Sequence, residues 1–402
     1  MRGADGPSGS LRGVFVGAVA PGSQGSLREA NSARIVEAVK AYGRITQVEL
    51  SSVTGLSAAT VSNIVKQLLD QGVVQTRATT RSGRRAQEVS LAASSSLGVG
   101  VHIASRSLSV VLADSSMALS GAQRLPLPVE HRSDTTLDRT ALLIAELADQ
   151  VGASMDDIAG VGLAIPTALG AGVRPGLGAL TGWIDVDIDQ LLAARLQRQV
   201  LVVREAEAGA VGETRFGALR GVGVGLFVHV ADTVDACLMV GGVPFRGAGS
   251  AGALGHVRVE PGGAICRCGG RGCLNTVASA EALAEPLRVS HGPMSLRAIV
   301  RAAADGDPGC RQVVADAAAA VGGAVADAAT LLAPQRVVIG GDLAATGEVF
   351  LAPIREALRS RPVLPRDDGL VVPTEDPQMV ARGALALIHD AIGPAAGASS
   401  EG

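Results

Sequence analysis

Three cysteines and one histidine are the residues whose spacing most directly implies chemistry. Cys266, Cys268 and Cys273 form a C-x-C-x4-C run, and His256 stands ten residues upstream of Cys266. Three thiolates and one imidazole complete the tetrahedral shell of a structural zinc ion and leave no place for a water. Glycines at 269, 270 and 272 let so short a loop bring its sulfurs together. A closed site of this kind ties a loop in place and performs no catalysis. The crowding argues for metal over a disulfide framework. The plainer alternative is three reduced surface cysteines. Cys237 lies in an apolar stretch and reads as a small buried hydrophobe, and Cys310 has no partner nearby in sequence.

A second constellation suits nucleic acid. From Ser57, which can cap a helix, Val61, Ile64, Val65, Leu68 and Leu69 recur at the spacing of a core-facing helical stripe. The opposite face shows Ala59, Thr60, Ser62, Asn63, Lys66 and Gln67, small or polar residues suited to a major groove. Asn31 can cap an earlier helix carrying Ile35, Val36, Val39 and Tyr42, which Gly43 ends. Thr46 and Glu49 have the capping-box spacing, and a tight turn at Thr54-Gly55-Leu56 follows a short helix. Gly72 stands where a C′ glycine belongs. Beyond it, Val73 to Arg77 and Glu88 to Leu91 read as two strands around a basic tip that includes Arg81, Arg84 and Arg85. The pattern predicts a winged helix-turn-helix over residues 27–92. Its DNA-facing residues are then Ser57, Ala59, Thr60, Ser62, Asn63 and Lys66, with Arg84 and Arg85 at the wing. A generic three-helix packing module is the alternative, and the helix-turn-helix spacing with a basic wing argues against it.

Charge agrees with that placement. Residues 1–92 carry eleven Arg or Lys against six Asp or Glu, a local +5, which leaves -8 for the rest of a chain whose net charge is -3. A basic head on an acidic body fits DNA binding through the head. Residues 1–26 are Gly/Ser-rich and read as a disordered arm without the apolar core of a signal peptide. No apolar run is read as a bilayer span, so the expectation is a cytoplasmic protein with no membrane partner.

After Leu97 the pattern changes to alternating strands and helices. Strands are expected at Val99 to Ile103, Leu108 to Ala113, Val161 to Pro166, Val200 to Val203, Gly225 to Val230, Cys237 to Val240 and Arg336 to Gly341. Helices are expected at Asp187 to Gln199 and Ala315 to Leu332. The fold class is α/β with mixed sheets. Hydrophobic residues make up 47% of the chain but aromatics only 2%, so the core must be built from Val, Leu, Ile and Ala.

From Asn31 to Ile392 the chain resembles the ROK family of repressors, open reading frames and sugar kinases. The likeness is carried by Thr181-Gly182-Trp183, the stretch Arg204 to Glu213, Arg246-Gly247, Leu254-Gly255-His256, the cysteine cluster and Ile339-Gly340-Gly341. It implies an actin-like ATPase body of two lobes around a cleft, with lobe 1 over 97–220 and lobe 2 over 221–402, the latter holding the zinc loop and the C-terminal helix. It implies the same four zinc ligands, and it matches the head to the reader of the family's repressor branch.

The resemblance also allows the kinase chemistry to be checked position by position. The first phosphate loop, D-x-G-x-T in the family, corresponds to Gly100-Val101-His102-Ile103-Ala104-Ser105 and lacks both the acid and the needed glycine. The second, G-T-G-I-G, corresponds to Ala231-Asp232-Thr233-Val234-Asp235, whose carboxylates would repel phosphates. The stretch with the catalytic acid, E-N-D-A-N, corresponds to Val203-Arg204-Glu205-Ala206-Glu207. Glu205 keeps a carboxylate at the base position but one methylene too long, and a misplacement of ~1 Å costs ~100-fold in rate. E-x-G-H becomes Ala253-Leu254-Gly255-His256, and C-L-E becomes Cys273-Leu274-Asn275. These losses imply a body without phosphoryl transfer, in which Glu205 is a degenerate base.

What the cleft would bind is then open. Arg204, Glu205, His256 and Asn275 are the candidate effector residues, with Arg204 able to pair with an acidic small molecule. Alternatively Arg204 pairs with Glu205 or Glu207 and the cleft is scaffold. The expected function is a homodimeric or higher-order transcription regulator reading an inverted-repeat operator in double-stranded DNA and controlling genes for carbohydrate uptake or metabolism. Its alternatives are an active sugar or amino-sugar kinase with a fused DNA-binding head, and a protein-interaction module on a kinase-like scaffold.

Overall fold

The structure is a computed structural model that describes residues 24–42, 44–81, 84–91, 97–128, 130–166, 180, 183 and 186–392. Most of the arm expected over 1–26 lies outside the described residues, as do Gly43, Ser82, Gly83, Thr181 and Gly182. The chain forms two compact units, one of residues 1–40 and 44–89, the other of 41–43 and 90–402.

The first unit holds α1 (Gln24–Tyr42), β1 (Arg44–Thr46), α2 (Gln47–Thr54), α3 (Ala58–Asp70), β2 (Val74–Arg81) and β3 (Arg84–Leu91). Asn31 does not cap α1. The helix begins seven residues earlier, because Leu27, Arg28, Glu29 and Ala30 are good helix formers that extend it backwards. Residues 24–26, expected in the arm, are helical. Thr46 caps α2 with the full box: its hydroxyl accepts from the Glu49 N–H at 3.3 Å, and Glu49 accepts from the Thr46 N–H at 2.9 Å. Gly55 ends α2 at φ 70, a left-handed conformation that suits glycine. Ile35, Val39, Leu50, Val61, Ile64, Val65 and Leu68 form the unit's buried core. Leu69, expected in the stripe, is 42% exposed. It lies about 80° round the helix from Val61, at the edge of the buried face. The three strands form one sheet in the order β1-β3-β2. The short strand β1 has no period long enough to be read in the sequence.

The second unit repeats one topology twice. Its first sheet is built from β4 (Leu97–Ala104), β5 (Ser107–Ala113), β6 (Leu119–Pro126), β7 (Ile158–Ile165) and β8 (Gln199–Arg204), with α4 (Ser133–Gln150), α5 (Ile188–Leu196) and α6 (Glu205–Phe216) between or after them. The strand order is β6-β5-β4-β7-β8, antiparallel through β4 and parallel beyond it. The second sheet takes β9 (Val224–Val230), β10 (Val234–Val240), β11 (Val243–Phe245), β12 (Arg336–Gly340) and β13 (Val371–Pro373). Its order, β11-β10-β9-β12-β13, has the same change of direction at its third strand. Between and after these strands come α7 (Asn275–Ala278), α8 (Ala280–His291), α9 (Leu296–Ala304), α10 (Pro308–Leu332), α11 (Glu348–Arg359) and α12 (Met379–Ile392).

Several boundaries follow from local chemistry. The helix expected from Ala315 starts at Pro308, because Asp307 accepts from the Cys310 N–H and Pro308 suits a first turn. The helix expected to reach Gln199 stops at Leu196, where Gln197 turns left-handed at φ 53. By length and composition α10 could cross a membrane, contrary to the expectation that no segment could. Its apolarity comes from alanines, and half of the apolar window is buried inside the body against Phe350, Ile354 and Leu358. It is a core helix.

The C-terminal helix α12, assigned by sequence order to lobe 2, packs on the lobe 1 sheet. A Cβ at Gly162 of β7 would fall 2.0 Å from the Ala384 carbonyl oxygen. A Cβ at Gly383 of α12 would fall 1.7 Å from the Ala208 carbonyl oxygen of α6. Glycine at both positions lets α12 pack tightly against the sheet on one side and α6 on the other. On its other flank α6 approaches the second sheet, with Gly209 against the Phe227 ring. The two helices therefore join the lobes just beyond the β8–α6 junction at Arg204 and Glu205.

Candidate functional site

The four expected metal ligands come together. The loop closes through Cys266 N–H to the Gly270 carbonyl at 2.8 Å and Gly272 N–H to the Ala264 carbonyl at 2.8 Å. Gly272, at φ 69, has its α-carbon against Glu260, where a Cβ would fall 1.5 Å from the carbonyl oxygen. The short 3-10 turn Leu254–His256 brings the imidazole in from the other side. His256 Nδ1 lies 3.7 Å from Cys266 Sγ, Cys268 Sγ lies 3.6 Å from Cys273 Sγ, and all four donors are within 4.8 Å of one another. Metal–sulfur bonds of ~2.3 Å in a tetrahedral shell require sulfur–sulfur edges of ~3.7 Å. The donor set fits a metal ion. Burial lowers the His256 pKa and so favours the neutral, ligating imidazole. Burial and the neighbouring thiols push Cys273 up to about 12, so its thiolate form calls for a cation beside it.

The DNA-facing residues expected on α3 share one surface. Ala59, Ser62, Asn63 and Lys66 are exposed and Thr60 is half-buried, while Val61, Ile64, Val65 and Leu68 are buried beneath them. Ser57 caps the helix: its hydroxyl accepts from the Thr60 N–H at 3.2 Å and lies 2.8 Å from the Thr60 hydroxyl. Arg84 and Arg85 open β3, and their side chains lie outside the described residues.

The cleft residues are each engaged internally. Arg204 pairs with neither Glu205 nor Glu207. Its guanidinium donates to both oxygens of Asp235 at 3.3 Å and to the Ala251 carbonyl at 2.8 Å. The reason is direction: β8 ends at Arg204 and α6 starts at Glu205, so successive side chains point apart. Glu207 instead accepts two bonds from Arg246. Asp235 lies in β10 beyond the tight turn Ala231 to Thr233, and burial pushes its carboxyl up to about 7 against the pull of Arg204. Asn275 accepts from the Val234 N–H at 2.8 Å and so ties α7 to β10. His256 belongs to the metal cluster. The four residues proposed as one effector site are thus divided among separate partners.

Glu205 lies instead between two histidines that the sequence reading did not single out. Its Oε2 is 3.1 Å from His102 Nε2 on β4 and 3.6 Å from His229 Nε2 on β9. The Glu205 and His229 side chains are buried, and that of His102 is 13% exposed. Burial, aided by Arg124, holds His102 at about 4, and burial likewise lowers His229. Burial raises the Glu205 carboxyl, and the nearby His229 only partly offsets it. The low-dielectric site therefore drives all three groups towards their neutral forms. One signal was available in the sequence: each histidine interrupts an otherwise apolar strand.

The comparisons with known proteins bear on both units. The profile of the ROK family matches residues 98–391. The chain belongs to the ROK family. A winged helix-turn-helix DNA-binding profile matches residues 29–75, so a reader of that class precedes the ROK body. Over 398 residues the chain is 25% identical to the DNA-binding transcriptional dual regulator NagC of Escherichia coli strain K12, covering 92% of this chain and 97% of that protein. It is 24% identical over 365 residues to the xylose repressor of Caldicellulosiruptor bescii, covering 85% and 90%. The crystal structure of a ROK family transcriptional regulator, a homologue of the E. coli MLC protein, matches with a TM-score of 0.68 at 21% identity over 91% of this chain and 96% of that one.

Proposed function

We propose that this protein is a DNA-binding transcription regulator of the ROK type, acting in the cytoplasm on genes of carbohydrate uptake or metabolism. The observation that carries this reading is the two-faced α3, whose apolar stripe is buried and whose Ala59, Ser62, Asn63 and Lys66 face outward from a capped N-terminus. That is the form of a recognition helix entering a major groove, with Arg84 and Arg85 of the wing on phosphate or in the minor groove. The regulators and repressors among its relatives support the same reading.

In this reading the protein is a homodimer on an inverted repeat, with half-site centres ~10 bp or a multiple of that apart. His256, Cys266, Cys268 and Cys273 hold a structural zinc ion that fixes the loop between the 3-10 turn at Leu254–His256 and α7. The body transfers no phosphoryl group. Phosphates would meet Asp232 at the second loop, and Glu205 is engaged by His102 and His229. An effector, if it uses this cleft, must displace the Arg204–Asp235 pair.

Selection from random duplex DNA tests the reading. Enrichment of a two-fold related sequence is expected, and failure to enrich any sequence would reject it. A coupled assay with ATP-Mg and a panel of hexoses, pentoses and amino sugars should show no turnover. Turnover would favour the kinase alternative.

A further inference from the structure

A second set of ligating side chains lies outside the clusters described above. His291 ends α8, Asp307 caps α10, and Cys310 is the third residue of α10. An imidazole nitrogen, a carboxylate oxygen and the thiol sulfur of these residues all lie within 4.8 Å of one another. Cys310, which has no neighbouring partner in sequence, thus acquires two in space.

The imidazole is also held from behind. His291 Nε2 lies 3.1 Å from Asp307 Oδ2, while its Nδ1 lies 2.7 Å from the Ser290 hydroxyl. The other Asp307 oxygen accepts from the Cys310 N–H at 2.8 Å. The Ser290 contact, the one from outside the donor set, fixes the ring on its far nitrogen as metal sites require. Between the ligands stands Gly309, where a Cβ would come within 3.2 Å of His291 Cε1, so the ring lies over a residue with no side chain. The site is open on one side only: the imidazole and carboxylate are 27% and 31% exposed, and the Cys310 side is buried.

We propose that His291, Asp307 and Cys310 form a second metal site, for a thiophilic divalent cation such as zinc, cobalt(II) or cadmium. Nitrogen, oxygen and sulfur donors together select borderline ions over magnesium or calcium. The carboxylate and thiolate balance the charge of a divalent ion, and three protein donors leave one coordination position for water. The ion would clip the end of α8 to the start of α10. Nothing in this proposal depends on DNA binding or on the first cluster.

The test begins with the metal content of the full-length protein as isolated, followed by titration with Co2+ and recording of the thiolate charge-transfer band. A total of two metal ions per chain is expected. His291→Gln should lose the second with the first intact, and Cys268→Ser should lose the first with the second intact. Asp307→Asn, which keeps an oxygen to cap α10, should also lose the second ion, so the result does not depend on the fold tolerating a change at Cys310. A single ion per chain that Cys268→Ser removes would overturn the proposal and leave these residues as a hydrogen-bonded helix cap. Survival of the second ion in both His291→Gln and Asp307→Asn would overturn it too.

Discussion

Arg204 at the end of β8 reaches across to Asp235 on β10, holding both carboxylate oxygens at 3.3 Å and joining the two lobes. The two side chains are only 9% and 23% exposed. A mostly buried charge pair of the protein's own thus ties the two sheets together.

Arg204→Ala should destabilise the body by about 3 kcal/mol, the lower end for breaking a buried pair, since Asp235 keeps some solvent. Denaturant unfolding checks this. The double variant with Asp235→Ala should recover part of the loss, because no carboxylate is then left unpaired. No change in the single variant would show that the pair contributes nothing.

The His102–Glu205 contact predicts a pH dependence. His102 is held at about 4 against a usual 6.5, so between these values the folded state binds fewer protons than the unfolded one. Its contribution is fully present above 6.5, falls as the pH drops through that window, and levels off below about 4. One proton limits the slope to about 1.4 kcal/mol per pH unit. Glu205, pushed up by burial, acts in the opposite sense and loses stability as the pH rises. His102→Gln should therefore flatten the acid side of the stability profile, measured as thermal midpoint from pH 4 to 7. An unchanged acid limb would remove His102 as its source.

Metal at the first cluster should be structural. Cys268→Ser, or a strong chelator, should abolish one bound zinc ion and lower the thermal midpoint by several degrees, since ~1 kcal/mol already moves it by ~2–4 °C in a domain of this size. A folded wild-type protein with no metal and an unshifted midpoint would contradict the zinc assignment.

Much of this was legible in the sequence, for reasons that particular residues show. The cysteine loop is local, so C-x-C-x4-C with a nearby histidine defines it before any fold is known. The caps at Thr46 and Ser57 are equally local and hold in the structure. The His102–Glu205–His229 cluster joins residues from β4, α6 and β9, and no sequence spacing brings these together. Arg204 could be seen to need an acid, but the choice of Asp235 over the adjacent Glu205 depends on the β8–α6 junction. The same limit hid the meeting of His291, Asp307 and Cys310, which only the packing of α8 against α10 creates.

On the reading face, Lys66 is exposed on α3 and should contact a phosphate. Lys66→Ala should weaken DNA binding for all sequences alike and reduce the slope of log K against log salt by ~0.9. An unchanged slope would reject the phosphate contact. Asn63→Ala should instead alter preference at one base pair, costing ~1–3 kcal/mol on the preferred sequence.

The central claim is tested most directly by fluorescence anisotropy of the full-length protein on its selected inverted repeat and on a scrambled duplex at the same salt concentration. Specific binding at least ~1,000-fold tighter than the scrambled control is the predicted result. Equal affinity for both duplexes would contradict it and leave the head as a packing module on a kinase-like scaffold.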